Sequence, residues 1–318
     1  MHRDSIDDLR KLFVGLDKKV NINGKGRIVP INFDNAATTP PFKRVVKRVL
    51  ETTEYYGSIA RGDGQKSQYC SDLYEECRRY ILKYFNAPEE IYTAIFVGNT
   101  TDGLNKLSNI LINNKEDIVI TTRMEHHSND LPWRNKCDLK YVEVNEDGRI
   151  NINEIKELIE RYKEKVKYIT ITGASNVTGY INDIRKISGL IHKYGGKIIV
   201  DGAQLVPHKK ICMYKKDSLE NIDFLVFSGH KIYAPFGSGA IIGLREDFNN
   251  NLPDTKGGGT VEYVIDNNQL WLNTPEKNEA GTPNLFGAVA IMEAMKEIEK
   301  IGFERIEKNE KELLQYLI

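Results

Sequence analysis

Three polar stretches stand where polar residues are costly. Lys231 lies just beyond the apolar run that opens DFLVFSGHKIYAPFGSG (223–239), and Asp201 closes KIIV (197–200). The run TAIFV (93–97) empties into GNTTDG (98–103), which opens the helical pattern GLNKLSNILI. An amine held at a strand end in a partly buried cleft has a lowered pKa and can condense with an aldehyde. A carboxylate in such a place requires a cation or N–H donors, because an unpaired buried charge is strongly disfavoured. A protonated ring nitrogen would answer that need, as would an ion pair or a helix cap. A helix N-terminus flanked by the hydroxyls of Thr100 and Thr101 suits a phosphate, although either threonine is equally an ordinary cap. GNTTDG has neither the Walker spacing nor GxGxxG, so it does not imply a nucleotide. Taken singly, a strand-end lysine is a solvated side chain. Taken together, an imine-forming lysine, a carboxylate for a pyridinium and a phosphate-binding helix end are the parts that hold pyridoxal 5'-phosphate. His126 is available to stack on the ring, and Ser228 and His230 to add phosphate donors.

The elements that must position these residues follow from periodicity. Short β-branched runs at 93–97, 117–121, 167–172, 197–200, 224–227 and 239–243 read as buried strands. Longer amphipathic stretches at 65–85, 151–166 and 182–196 read as helices between them, the last closed by glycines. Strand–helix alternation predicts an α/β fold with a mainly parallel sheet covered on both faces. Ligands of such sheets sit beyond the carboxyl ends of the strands. The segments 98–103, 123–133, 173–179, 201–208 and 228–231 are therefore expected to converge on one cleft. DGRINI (147–152) and NNNLPDTKGGG (249–259) read as loops. The last stretch is helical with a break at Gly302, and it stops without a cap. Leu313, Leu314, Tyr316, Leu317 and Ile318 are expected to want a partner surface there.

Composition narrows the function classes. The chain has 318 residues, 45 Lys+Arg against 45 Asp+Glu, and a formal net charge of zero. No global field invites nucleic acid or an anionic membrane. The N-terminus lacks the apolar core of a signal peptide, and no apolar run is long enough to span a membrane, so a cytoplasmic setting is expected. Cys70, Cys77, Cys137 and Cys212 form no CxxC and no Cys/His spacing for a metal. Cys70 and Cys77, seven apart on one helical face, are expected to be reduced packing residues.

Eight ordered stretches carry a family resemblance: INFDNAATTP (31–40), ARGDGQKSQ (60–68), FVGNTTDGLN (96–105), MEHHSNDLPW (124–133), SNVTG (175–179), VDGAQLVPH (200–208), FSGHKIYAPFGSG (227–239) and EAGTPN (279–284). In these the chain resembles the class V aminotransferase family of fold-type I pyridoxal-phosphate enzymes, closest to the cysteine desulfurase and selenocysteine lyase branch. The resemblance implies a seven-stranded large domain in which the GAIIG strand runs antiparallel. It implies that Lys231 is the amine that binds the cofactor aldehyde and moves protons at the substrate α-carbon. Asp201 would pair with the pyridine nitrogen. His126 would stack on the ring and serve as an acid or base. Gln204 would bond the phenolic oxygen. Thr100, Thr101, Ser228 and His230 would hold the phosphate. Asn176 would sit near the ring oxygen or the substrate carboxylate. The resemblance also implies a homodimer with shared sites, Thr282 reaching the phosphate of the other subunit. His127 is expected to be structural, and Asp34 and Asn35 to stand near the entrance or simply to form a turn.

The resemblance implies removal of sulfur from L-cysteine, giving alanine and a persulfide, with a sulfur-acceptor protein as a possible partner. Selenocysteine lyase, aminotransferase, epimerase and an inactive dimerisation subunit are the alternatives. Two departures bear on this. Ala60 stands where desulfurases of this branch often carry a histidine. The family's small domain, with its carboxylate-gripping arginine and mobile cysteine, is not found after residue 290. The expected division is an N-terminal segment (1–30), a cofactor-binding large domain (31–290) and the start of a linker helix (291–318).

Overall fold

The structure, a computed structural model, describes residues 9–24, 26–59 and 62–317. Ala60 and Arg61, on which the substrate expectation partly rested, lie outside them, as does Ile318.

The centre is a seven-stranded sheet. Its strands are β3 (Tyr92–Val97), β4 (Ile118–Thr122), β5 (Asp138–Val142), β6 (Val166–Thr172), β7 (Lys197–Asp201), β8 (Phe224–Ser228) and β9 (Gly239–Leu244), in the order β3-β9-β8-β7-β6-β4-β5. Only β9 is antiparallel to its neighbours, as expected for the GAIIG strand. Two small hairpins complete the strands, β1 (Val20–Ile22) with β2 (Gly26–Ile28), and β10 (Val261–Ile265) with β11 (Asn268–Trp271).

The helices are α1 (Lys43–Thr53), α2 (Gln65–Tyr84), α3 (Thr100–Leu111), α4 (His127–Asp130), α5 (Ile152–Tyr162), α6 (Ile184–His192), α7 (Arg245–Asn250), α8 (Leu285–Ile301) and α9 (Phe303–Leu317). The parallel strands are joined by helices that pack apolar residues on the sheet; Ile155, Ile159, Ile187 and Ile191 are fully or nearly fully buried. The helix expected over 151–166 stops at Tyr162, because Lys163 takes a left-handed φ of 48° and starts a single 3-10 turn. β5 escapes the search for apolar runs because Asp138 and Lys140 alternate with Leu139 and Tyr141 along a half-buried edge strand.

Two close approaches shape the site. A Cβ on Gly103 would lie 2.5 Å from Val226 Cγ1, so only glycine lets α3 settle this tightly on β8. A Cβ on Gly239 would lie 2.4 Å from the Phe227 carbonyl oxygen and 3.1 Å from Asn99 Cα. Together they bring the first turn of α3 against the ends of β8 and β9.

Cys70 and Cys77 are free and buried beneath α8, as expected. Helix α8 is buried from Leu285 through Ile298 and crosses residue 290, the expected end of the large domain. The break falls at Gly302, and α9 has no fully buried residue. It is tied to the loop after β7 by Glu310 on His208 and Glu307 on Lys209. Leu313, Leu314, Tyr316 and Leu317 are exposed.

One buried ion pair fixes the segment before Thr282. Glu279 pairs with the Arg78 guanidinium at 2.9 Å, accepts the Phe96 N–H at 2.7 Å and accepts the Tyr74 hydroxyl at 2.9 Å. Arg78 also donates to the Ala94 carbonyl. Both side chains are below 10% exposed. Removing one partner strands a buried charge, so Glu279→Ala is expected to cost roughly 3–5 kcal/mol in urea unfolding. A loss below about 1 kcal/mol, the range of exposed pairs, would contradict that assignment.

Candidate active site

A cleft of about 660 Å³ opens beyond the carboxyl ends of the parallel strands and beside the first turn of α3. Nine of the ten residues singled out from the sequence line it: Thr100, Thr101, His126, Asn176, Asp201, Gln204, Ser228, His230 and Lys231. Thr282 does not. It lines a smaller neighbouring pocket of about 270 Å³ that shares Gly98, Gly237 and Ser238 with the cleft.

Asp201 is the last residue of β7 and is only 4% exposed. Its Oδ1 accepts the Ala203 N–H at 2.9 Å. Among the described residues it forms no ion pair; Lys231 and the His126 ring act on it from across the cleft. Burial raises its pKa, and the Ala203 N–H, Lys231 and His126 only partly counter this. Lys231 ends the single 3-10 turn Gly229–Lys231 that follows β8. Burial lowers its amine pKa, with Asp201 acting in the opposite sense. Burial and the Lys231 charge likewise lower His230, keeping its ring neutral. His230 Nδ1 lies 3.1 Å from Thr38 Oγ1, and its carbonyl accepts the Thr39 N–H at 3.0 Å. The lysine turn is thereby clamped to the segment 34–39.

The first turn of α3 is arranged for an anion. The expected cap at Thr100 or Thr101 is instead Asn99, whose Oδ1 accepts the Asp102 N–H at 2.9 Å. Asparagine is among the best N-cap residues, and its side chain frees both threonines. Ser228 Oγ accepts the Thr100 N–H at 2.8 Å and shares a proton with Thr100 Oγ1 at 2.7 Å. The helix end thus presents hydroxyls and a first-turn N–H, that of Thr101, to one corner of the cleft.

His126 caps α4. Its Nδ1 accepts the Ser128 N–H at 3.1 Å and lies 2.9 Å from Ser128 Oγ. An Nδ1 that accepts from a backbone N–H carries no proton, so the neutral ring is protonated at Nε2. Ser128 Oγ in turn lies 2.6 Å from Thr101 Oγ1 and links this histidine to the anion corner. His127 lines no part of the cleft, in keeping with a structural role. Gln204 Nε2 donates to the Ala36 carbonyl at 2.9 Å, and Asp34 also lines the cleft. None of the four cysteines reaches it.

Sequence reasoning passed over Ser128 and Glu125, both within the quoted stretch MEHHSNDLPW. Glu125 is partly buried just behind His126, accepting Thr122 Oγ1 at 2.7 Å and Asn129 Nδ2 at 2.6 Å. Burial raises its carboxyl to about 8. The only signal in the sequence was a carboxylate placed directly before the histidine pair.

The donor set is consistent with pyridoxal phosphate. It offers a buried carboxylate short of a cation, an amine of lowered pKa and a capped helix end suited to an anion. Among the described residues no three His, Cys, Asp or Glu side chains gather as metal ligands.

Comparison with known proteins agrees with this geometry. The family model described as aminotransferase class-V matches residues 31–318. A probable cysteine desulfurase of Borreliella burgdorferi is 36% identical over 98% of this chain and 74% of its own length. A cysteine desulfurase of Wigglesworthia glossinidia brevipalpis is 33% identical over 98% of this chain and 76% of its own. Among solved structures, an apo cysteine desulfurase from Thermococcus onnurineus superposes with a TM-score of 0.81 at 32% identity, covering 89% of this chain and 71% of that one. With the family model matching residues 31–318 and relatives 33–36% identical over nearly the whole chain, this protein belongs to the class V aminotransferase family.

Proposed function

We propose that this chain is a pyridoxal-phosphate-dependent cysteine desulfurase. In this reading L-cysteine and an acceptor thiol become L-alanine and the acceptor's persulfide. The observation that carries it is the convergence of Asp201, Lys231 and the open end of α3 on one cleft. The activities named for the relatives support the choice of substrate. The bound cofactor would supply an aldehyde for the amino groups and a sink for the electrons of a carbanion.

The chain's own residues do the rest. Asp201 is poised to keep a ring nitrogen protonated, since that proton gives the buried carboxylate its missing cation. Thr100, Thr101, Ser228 and His230 would fix the phosphate, with Gln204 at the phenolic oxygen and Asn176 at the ring oxygen or substrate carboxylate. Lys231, with more of its amine neutral than an exposed lysine, is suited to attach the aldehyde and then to carry a proton to and from the substrate α-carbon. His126 would lie over the ring and present its Nε2 proton to the cleft. The Cβ–S bond of L-cysteine breaks, the sulfur passes to the thiolate, and the carbon takes a proton to become the alanine methyl group. The acceptor is a thiol other than the four cysteines here, because none of them lines the cleft. We place the cofactor in residues 31–290 and take the working form to be a homodimer in which Thr282 serves the neighbour's phosphate.

Two measurements test this. With added pyridoxal phosphate and dithiothreitol, L-cysteine should yield alanine and sulfide in equal amounts. Lys231→Ala should lose the visible cofactor band and about 10²–10⁴-fold in rate, the span of a positioned acid–base group. Release of pyruvate, or transfer of the amino group with no sulfide, would overturn the reaction assigned. In the cofactor-free chain, Lys231 should titrate below the ordinary lysine value of 10.5. Asp201→Asn should lower it further, because the carboxylate charge holds the ammonium form. A titration at or above the ordinary value, read by NMR of the ¹³C-methylated amine, would contradict the account of Lys231.

A further inference from the structure

Glu125 has no part in the chemistry above, yet it joins three elements that meet at the cleft. Its Oε1 accepts the hydroxyl of Thr122, the last residue of β4, at 2.7 Å. Its Oε2 accepts Asn129 Nδ2 in α4 at 2.6 Å. The backbone N–H of Thr172, the last residue of β6, also favours its charged form. Asn129 is fixed in turn, its Oδ1 taking Trp133 Nε1 at 3.3 Å and Thr170 Oγ1 at 2.5 Å. Because the Trp133 ring nitrogen is always a donor, the amide of Asn129 can only point its NH₂ at Glu125. Thr122, Asn129, Thr170 and Trp133 are fully or almost fully buried. Replacing the carboxyl by an apolar group would leave two donors, the Thr122 hydroxyl and the Asn129 amide, unpaired.

This network surrounds the one turn that carries His126. Residue 126 follows Glu125 directly, and its Nδ1 contact with the Ser128 N–H exists only while α4 stays in place. Thr172 is paired in register with Asp201 across β6 and β7. Through Asn129 and the Thr170 hydroxyl of β6, the same carboxyl references His126 to the strand beside the one that bears Asp201. We propose that Glu125 is a positioning residue, which acts through His126 by clamping the β4–α4 turn to the ends of β4 and β6. Burial raises the Glu125 carboxyl to about 8, and the charge of Asp201 adds to the rise. Lys231 and the His126 ring are the other titratable groups that act on Asp201. The inference rests on the reading of His126 as the residue over the cofactor.

The test is a double-mutant cycle on cofactor affinity, followed by absorbance titration with pyridoxal phosphate. Glu125→Ala and His126→Ala are each expected to weaken binding by roughly tenfold, as for a misplaced positioning group. If Glu125 acts through His126, the double variant binds no more weakly than His126→Ala alone. Losses that multiply in the double variant, or a Glu125→Ala chain with unchanged affinity, would overturn the proposal. Should Glu125→Ala fail to fold, the cycle is run with Glu125→Gln. That variant keeps the length but must turn one NH₂ toward a donor, so roughly a threefold loss is expected. The second readout is ¹⁵N NMR of His126 in the cofactor-free chain. Wild type should show Nδ1 unprotonated and Nε2 protonated, and Glu125→Ala a mixture of tautomers. A single tautomer in both would count against the proposal even with stability changed. Neither readout uses L-cysteine. A chain that binds the cofactor without releasing sulfide sinks the substrate assignment and leaves the test of Glu125 intact.

Discussion

Everything in the cleft is organised around a carboxylate that the protein does not neutralise by itself. Asp201 is buried at the end of β7, accepts one backbone N–H and has no ion-pair partner among the described residues. A bare carboxylate in such a place is costly, and its raised pKa records that cost. The fold nonetheless holds it there, between β6 and β8. Such an arrangement is stable in use only when a cation arrives from outside the chain. The protonated nitrogen of a pyridine ring is such a cation, and the other groups of the cleft are held at fixed distances from Asp201.

The sheet supplies those distances. Parallel β6 and β7 end level at Thr172 and Asp201, and β8 runs two residues further, to Ser228. Gly103 and Gly239 allow α3 to press against the end of β8, so Thr100 can bond Ser228 directly. Lys231 follows three residues later on a turn clamped by Thr38 and Thr39. The amine is thus partly desolvated and kept near Asp201 without a direct ion pair, which is why its pKa falls while the carboxylate's rises. Electrostatic preorganisation of this kind is built during folding and needs no rearrangement when the ligand binds.

How much of this could be read beforehand depended on how local each signal was. Buried strands announce themselves as β-branched runs, and their terminal residues are adjacent in sequence to those runs. That adjacency is why Asp201, Lys231 and the GNTTDG turn were visible without any structure. β5 was not visible, because an edge strand with Asp138 and Lys140 on it has no apolar run. The hairpins β1–β2 and β10–β11 are largely exposed and leave no buried pattern. Capping by Thr100 or Thr101 was the alternative to their phosphate role, and Asn99 one step earlier is the cap. Ser128 and Glu125 act through Thr101 and Asn129, contacts that only the fold brings together. Spacing along the chain carries no trace of them.

The claim on which the account turns is that Asp201 holds a proton on the cofactor's ring nitrogen. The most direct measurement is the ¹⁵N NMR shift of that nitrogen, using pyridoxal phosphate labelled at the ring and bound to this chain and to Asp201→Ala. The account predicts a protonated nitrogen at neutral pH in the wild-type chain and an unprotonated one in the variant. The same protonation state in both would contradict it, and the buried carboxylate would then need another explanation.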